Sequence, residues 1–137
     1  MANDYELTID VDATPDATWA LVGDPVGVPS WFVKYVAAEI DGDIRTLTNA
    51  DGGQLVEKIL DRDDAERRYS YTVISGAPLK SHHASFAVVA TATGSRVVWH
   101  TAGELNDPSL DLEARLGAAQ REGLIRLKAV VEGRVTD

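Results

Sequence analysis

Glu57 lies in the run Gln54-Leu55-Val56-Glu57-Lys58-Ile59-Leu60, and a carboxylate within an apolar strand is the sharpest candidate here for acid–base chemistry. In an apolar cavity desolvation would raise its pKa and bring proton exchange toward neutral pH. The two faces of that strand, Leu55/Glu57/Ile59 and Val56/Lys58/Leu60, each carry one charged residue, so alternation leaves the direction of Glu57 open. Its alternative is a surface glutamate, paired across strands with Arg45 or the neighbours of Lys58. Tyr69 and Tyr71 alternate with Ser70 and Thr72. Both phenols therefore turn with Val73 to one face, where a hydroxyl can bond to a carbonyl or enol oxygen.

His82, His83 and His100 raise the question of a metal. Neighbouring strand residues point to opposite faces, so His82 and His83 cannot share one ion in regular geometry, and no metal site is expected. A single inward histidine, acting as general base or hydrogen-bond partner, fits better. Alternation groups His82 with Ala84, Phe86 and Val88 on an apolar face. Ser85 has no acid partner for a nucleophilic triad. Gly42 and Gly52-Gly53 mark hairpin turns and lack the strand-to-helix context of a phosphate loop, and no cofactor is expected. Trp99 alternates with Val97 and Thr101 and is the better pocket candidate among the tryptophans; Trp19 is expected to wedge its helix onto the sheet. Gly123 costs its helix about 1 kcal/mol relative to alanine, which reads as room for a ligand or a close helix–sheet contact.

The elements that must position these groups are short and sharply punctuated. Tyr5, Leu7, Ile9 and Val11 alternate with Glu6, Thr8 and Asp10, a strand with one wet face. Thr14-Pro15-Asp16 opens a helix that Gly23-Asp24-Pro25 stops, and a second short helical piece is expected near Val28 to Val33. Strands follow at Val36–Ile40, Ile44–Leu47, Gln54–Leu60, Arg67–Ile74, His82–Thr91 and Arg96–Thr101, separated by Gly- and Asp-rich turns. Asp107-Pro108-Ser109 then opens a long helix to about Val131, with an apolar stripe of Leu112, Leu116, Ala119, Leu124, Leu127 and Val131. Short connections imply an antiparallel sheet. With helices on one side, the fold class is α+β: about seven strands curved around the C-terminal helix.

Composition narrows the function classes. A chain of 137 residues is expected to form one domain over 1–137. It has no cysteine, which removes disulfides, thiolate nucleophiles and sulfur-ligated zinc. Its 13 Lys+Arg against 22 Asp+Glu give a net charge of −9, which disfavours nucleic acid. No run approaches a membrane span. Met1-Ala2-Asn3-Asp4 carries no secretory signal, so a cytoplasmic location is expected.

Several segments together resemble the helix-grip superfamily, which groups START-related lipid carriers, the birch-pollen allergen type, plant abscisic acid receptors and bacterial polyketide cyclases/dehydrases. The residues are Ile9 through Trp19, similar to a first strand running into an "aP-x-x-vW" helix; Asp24-Pro25 followed by Trp31; Glu57 and Ile59 followed by Asp63, Arg68, Tyr69 and Tyr71; Gly76-Ala77-Pro78-Leu79; Val97-Val98-Trp99; and Gly123 through Lys128. The resemblance implies a helix-grip fold with a ligand cavity between sheet and helix, and it favours Glu57 inward. It also implies that Lys34, in Trp31-Phe32-Val33-Lys34, meets a ligand carboxylate, and that His83 and Ser85 face the pocket. The alternative for Lys34 is a strand-start lysine with its head in water.

The scaffold hosts enzymes, carriers and receptors, so it does not specify a reaction. The first expectation is a small hydrophobic or aromatic, polyketide-like ligand, with an aromatase/cyclase-like enzyme moving protons through Glu57 or His83. Lys34, Tyr69, Tyr71, Ser85, Trp99 and Gly123 would contact the ligand. The others are a non-catalytic carrier or sensor, and a co-chaperone-like interaction domain.

Overall fold

The computed structural model describes residues 3–134. Seven antiparallel strands form one sheet: β1 (Asn3–Val11), β2 (Tyr35–Asp41), β3 (Ile44–Asn49), β4 (Gln54–Asp63), β5 (Arg68–Ser75), β6 (Leu79–Ala90) and β7 (Ser95–Leu105). Their order across the sheet is β1-β7-β6-β5-β4-β3-β2, so the hairpins from β2 onward fold in sequence and β1 closes beside β7. Helix α1 (Pro15–Val22) and the 20-residue helix α2 (Leu112–Val131) cover the concave side. This is the helix-grip α+β architecture.

Local chemistry sets the helix ends. The Thr14 side chain caps α1 by accepting from the Ala17 N–H at 3.1 Å, and Pro15 occupies the first turn, where its missing N–H costs nothing. Two sequence expectations shift. The second short helix is a 3-10 turn of three residues, Val28–Ser30, because the chain must leave it at once to bury Trp31 and start β2. The long helix begins at Leu112, later than Asp107-Pro108-Ser109. The Asp107 carboxylate is taken by the Ser109 N–H and hydroxyl in a turn, and Asp111 is the residue that caps, accepting from the Ala114 N–H at 2.9 Å.

The core forms where inward strand positions line up across the sheet. Leu7 pairs with Trp99, Trp99 with Phe86, and Phe86 with Tyr69, so one apolar row crosses four strands. Helix α2 packs chiefly on β1 and β7, burying Leu112, Leu124 and Leu127. Gly123 is buried and lets Trp31 approach closely, since a Cβ there would stand 3.3 Å from Cζ3 of that ring; it serves close packing and does not line the cavity. Since α2 packs directly on the β1 and β7 side of the sheet, a gap remains between it and the concave face of β3 to β6. That gap holds the cavity.

Candidate functional site

The space between α2 and the concave sheet is a cavity of about 430 Å³. Ligand pockets run from roughly 300 to 1,000 Å³, and this one lies within that range. Trp31, Phe32, Tyr35, Tyr71, Phe86 and Trp99 give it an aromatic wall, while Leu116, Ala119 and Arg115 line it from α2. The aromatic residues pack against one another and are fixed: Phe86 stacks on Trp99 at 4.5 Å between centroids, and Trp31 meets Trp99 edge-on at 5.6 Å.

Beside this wall lies a buried ion pair. The turn Asn49-Ala50-Asp51-Gly52-Gly53 sets a register that places Arg45 directly opposite Glu57, and both residues line the cavity. Arg45 Nε and Nη2 lie 2.9 and 2.8 Å from the same oxygen, Oε1 of Glu57. The remaining Arg45 donor, Nη1, reaches the Pro25 carbonyl at 3.1 Å and the Tyr69 hydroxyl at 3.2 Å. Its guanidinium also lies over the Tyr71 ring, 5.1 Å from the centroid. Burial pushes the Glu57 carboxyl above the usual carboxylate range, more strongly than Arg45 pulls it down. Glu57 thus faces inward, and the predicted partner Arg45 is present, but the pair is buried and not on the surface.

The tyrosines divide. Tyr69 and Tyr71 are both buried on the concave side, yet Tyr71 lines the cavity whereas Tyr69 lies behind it and orients Arg45. Trp99 Nε1 donates to the Tyr71 hydroxyl at 3.0 Å. Burial raises the pKa of both, and Tyr35 at the cavity wall is pushed up to about 12, so all three phenols are neutral near pH 7. Lys34 sits exposed at the cavity edge, its ammonium 5.2 Å from the Tyr35 ring centroid and 5.7 Å from that of Phe32.

The histidine positions require a correction. Ala84 pairs with Thr101 and Phe86 with Trp99, all buried, which fixes the parity of β6 and turns His82 inward. His83 is exposed on the opposite face, and Ser85 pairs with His100 on that same outer side. Neither His83 nor Ser85 lines the cavity, because a one-residue step along a strand reverses the face. The apolar alternation His82/Ala84/Phe86/Val88 marked the correct parity in the sequence. Among the described residues no three acidic or histidine side chains converge as metal ligands.

His82 makes the site pH-sensitive in a defined way. Burial, and secondarily the neighbouring His83, lower its pKa from 6.5 to about 4. The unfolded chain takes up this proton below about pH 6.5 and the folded chain does not, so the contribution is complete above pH 6.5 and is lost as pH falls toward 4. From that shift, stability is expected to drop by up to about 3 kcal/mol across this window. The raised Glu57 carboxyl acts in the opposite sense, so the wild type should be compared with His82→Asn. Urea unfolding at pH 7 and 4.5 should show a larger acid loss in the wild type, and equal losses would refute the assignment.

The profile of the family described as "Polyketide cyclase / dehydrase and lipid transport" matches residues 3–132. No curated protein matches the sequence. Among solved structures, the ZhuI aromatase/cyclase from Streptomyces sp. R1128 superposes with a TM-score of 0.82 at 17% identity, covering 99% of this chain and 97% of that one. A protein from Thermobifida fusca gives 0.78 at 24% identity, covering 97% and 94%. Norcoclaurine synthase of Thalictrum flavum, a point mutant solved with a transition-state analogue, gives 0.74 at 17% identity, covering 97% and 96%. At these identities the likeness is one of fold. Among the described residues no helix is long and apolar enough to cross a membrane.

Proposed function

This chain belongs to the polyketide cyclase/dehydrase and lipid transport family, and from that premise we propose that it binds one small, largely apolar aromatic or polyketide-like molecule in the cavity. The observation that carries this reading is the void of about 430 Å³ against an aromatic wall, with the Arg45–Glu57 pair beside it. An apolar wall supplies the binding energy and a few fixed polar groups orient the guest. Titrating the protein with fluorene and following backbone amides by NMR tests this. Shifts are expected at lining residues such as Leu55, Val73 and Leu116. Shifts confined to exposed residues, or none, would sink it.

One observation favours a catalytic version of the same site. Both Arg45 contacts go to Oε1 of Glu57, which leaves Oε2 without a protein partner among the described residues. A carboxylate of raised basicity there can take a proton from the carbon between or beside carbonyls. The resulting enolate carbon bonds to a second carbonyl carbon of the same molecule, whose oxygen takes the proton as hydroxyl. Loss of a further α-proton with departure of hydroxide gives the unsaturated ring and water. Heptane-2,6-dione is a simple probe, since closure yields 3-methylcyclohex-2-enone, detected by its ultraviolet absorption. Glu57→Gln is expected to abolish that rate while fluorene still binds; no rate in the wild type leaves a carrier.

A further inference from the structure

His82 brings to the cavity a ring donor that no hydrogen bond among the described residues uses; the indole N–H of Trp31 is unpartnered as well, but that atom is itself buried. Its Nδ1 accepts the Val73 backbone N–H at 3.1 Å. A backbone N–H can only donate, so Nδ1 must present its lone pair, and the single proton of the neutral ring resides on Nε2. The low pKa of about 4 agrees, since burial keeps the ring uncharged near neutral pH. The ring is also held in place. The Thr72 hydroxyl donates to the His82 carbonyl at 2.5 Å, and Tyr71 packs 5.6 Å from the imidazole centroid. The residue opposite on β7 is Gly103, which sends no side chain across. Among the described residues no hydrogen bond engages Nε2, and His82 lines the cavity.

We propose that His82 is the specificity-determining residue of this site: its Nε2–H donates to a carbonyl or enol oxygen of the bound molecule. The ligand is then an aromatic ketone, quinone or enol and not a plain hydrocarbon. This inference rests on the pocket reading above and adds the group that the pocket recognises. It also gives the histidine a role opposite to that of a general base, because the nitrogen able to accept a proton is already occupied by Val73. A site built to donate one hydrogen bond discriminates against the isostere that lacks the acceptor, because the donor is then left unpaired.

The probes are 9-fluorenone and fluorene, which share a planar tricyclic frame and differ in one carbonyl. The wild type is expected to bind 9-fluorenone roughly three- to tenfold more tightly, the range of one net hydrogen bond. His82→Asn keeps an acceptor for the Val73 N–H and has nothing at the Nε2 position, so the preference should vanish while fluorene affinity holds. His82→Gln places an N–H near that position and should restore part of the preference. Imidazole nitrogen NMR at pH 7 supplies a readout independent of affinity: the proton should sit on Nε2, and that resonance should move with 9-fluorenone but not with fluorene. A proton on Nδ1, an imidazolium, equal affinities in the wild type, or a preference that survives in His82→Asn would overturn the proposal. Failure of both compounds to bind would overturn the pocket reading itself, whereas equal binding overturns only the role of His82.

Discussion

Arg45→Met is expected to cost about 3–5 kcal/mol of folding stability, the range found when one partner of a buried ion pair is removed. Both residues are almost wholly inaccessible, at 2% for Arg45 and 3% for Glu57, so the charge left behind is poorly solvated. The variant leaves a carboxylate beside apolar and aromatic groups, and two acceptors, the Pro25 carbonyl and the Tyr69 hydroxyl, lose their donor. Glu57 is already raised by burial, and without Arg45 it rises further. The sign of the pH effect follows. The deficit is largest at pH above the folded pKa of Glu57 and shrinks as pH falls through it, because the protonated carboxyl no longer carries a buried charge. Replacing both residues, Arg45→Met with Glu57→Met, removes the charge problem, and most of the loss should return. About 1 kcal/mol should persist for the unpaired Pro25 and Tyr69 groups. Urea unfolding of the three proteins at pH 7 and pH 5 measures all of this. A single variant within 1 kcal/mol of wild type, or a double variant as unstable as the single one, would contradict it.

The contrast between Arg45 and Glu57 shows what one sequence makes legible. Strand alternation gave the parity of Tyr69, Tyr71 and Trp99 because each strand has a plainly apolar face. It failed at Glu57, where both faces carry a charge and the β4–β5 register shifts between Val56 and Glu57 and again between Ile59 and Asp61. Such irregularities re-aim side chains and are invisible to a strict period of two. Strand alternation offers Arg45 only as a surface partner of Glu57, whereas the structure buries it at the cavity. The signal for it was present in the hairpin: residues 45 and 57 lie equally far from position 51, so they must face each other. His82 and His83 show the converse case. The apolar company of Ala84, Phe86 and Val88 was a better guide to parity than the family resemblance, because burial is imposed on this chain by its own packing. The size of the cavity was not legible at all, since it arises from where α2 leans, and no local pattern encodes that.

Filling the cavity separates ligand binding from stability, and Ala119→Phe is the substitution suited to it. Ala119 lies on α2 and lines the void. Long helical side chains project back over the preceding turn, so a phenylalanine there sweeps toward Leu116 and into the space facing the aromatic wall. It occupies volume that is empty of protein, so it need not displace a packed neighbour, and overpacking costs of about 1–3 kcal/mol are not expected to apply in full. The helix propensity of phenylalanine costs roughly half a kcal/mol against alanine, which apolar burial offsets. Stability should therefore stay within about 1 kcal/mol of wild type. Fluorene, by contrast, loses the room it needs, and a loss of about 2 kcal/mol of binding corresponds to roughly thirtyfold in Kd. Ala118 is the control, being one step around the helix and exposed. Ala118→Phe should leave affinity unchanged. If Ala119→Phe binds fluorene as the wild type does, the molecule does not sit beneath α2, and the recognition by His82 and the chemistry of Glu57 would both lose their substrate. If it loses binding with its fold intact, the same variant becomes the reference for ring closure, since a rate that survives a plugged cavity cannot come from this site.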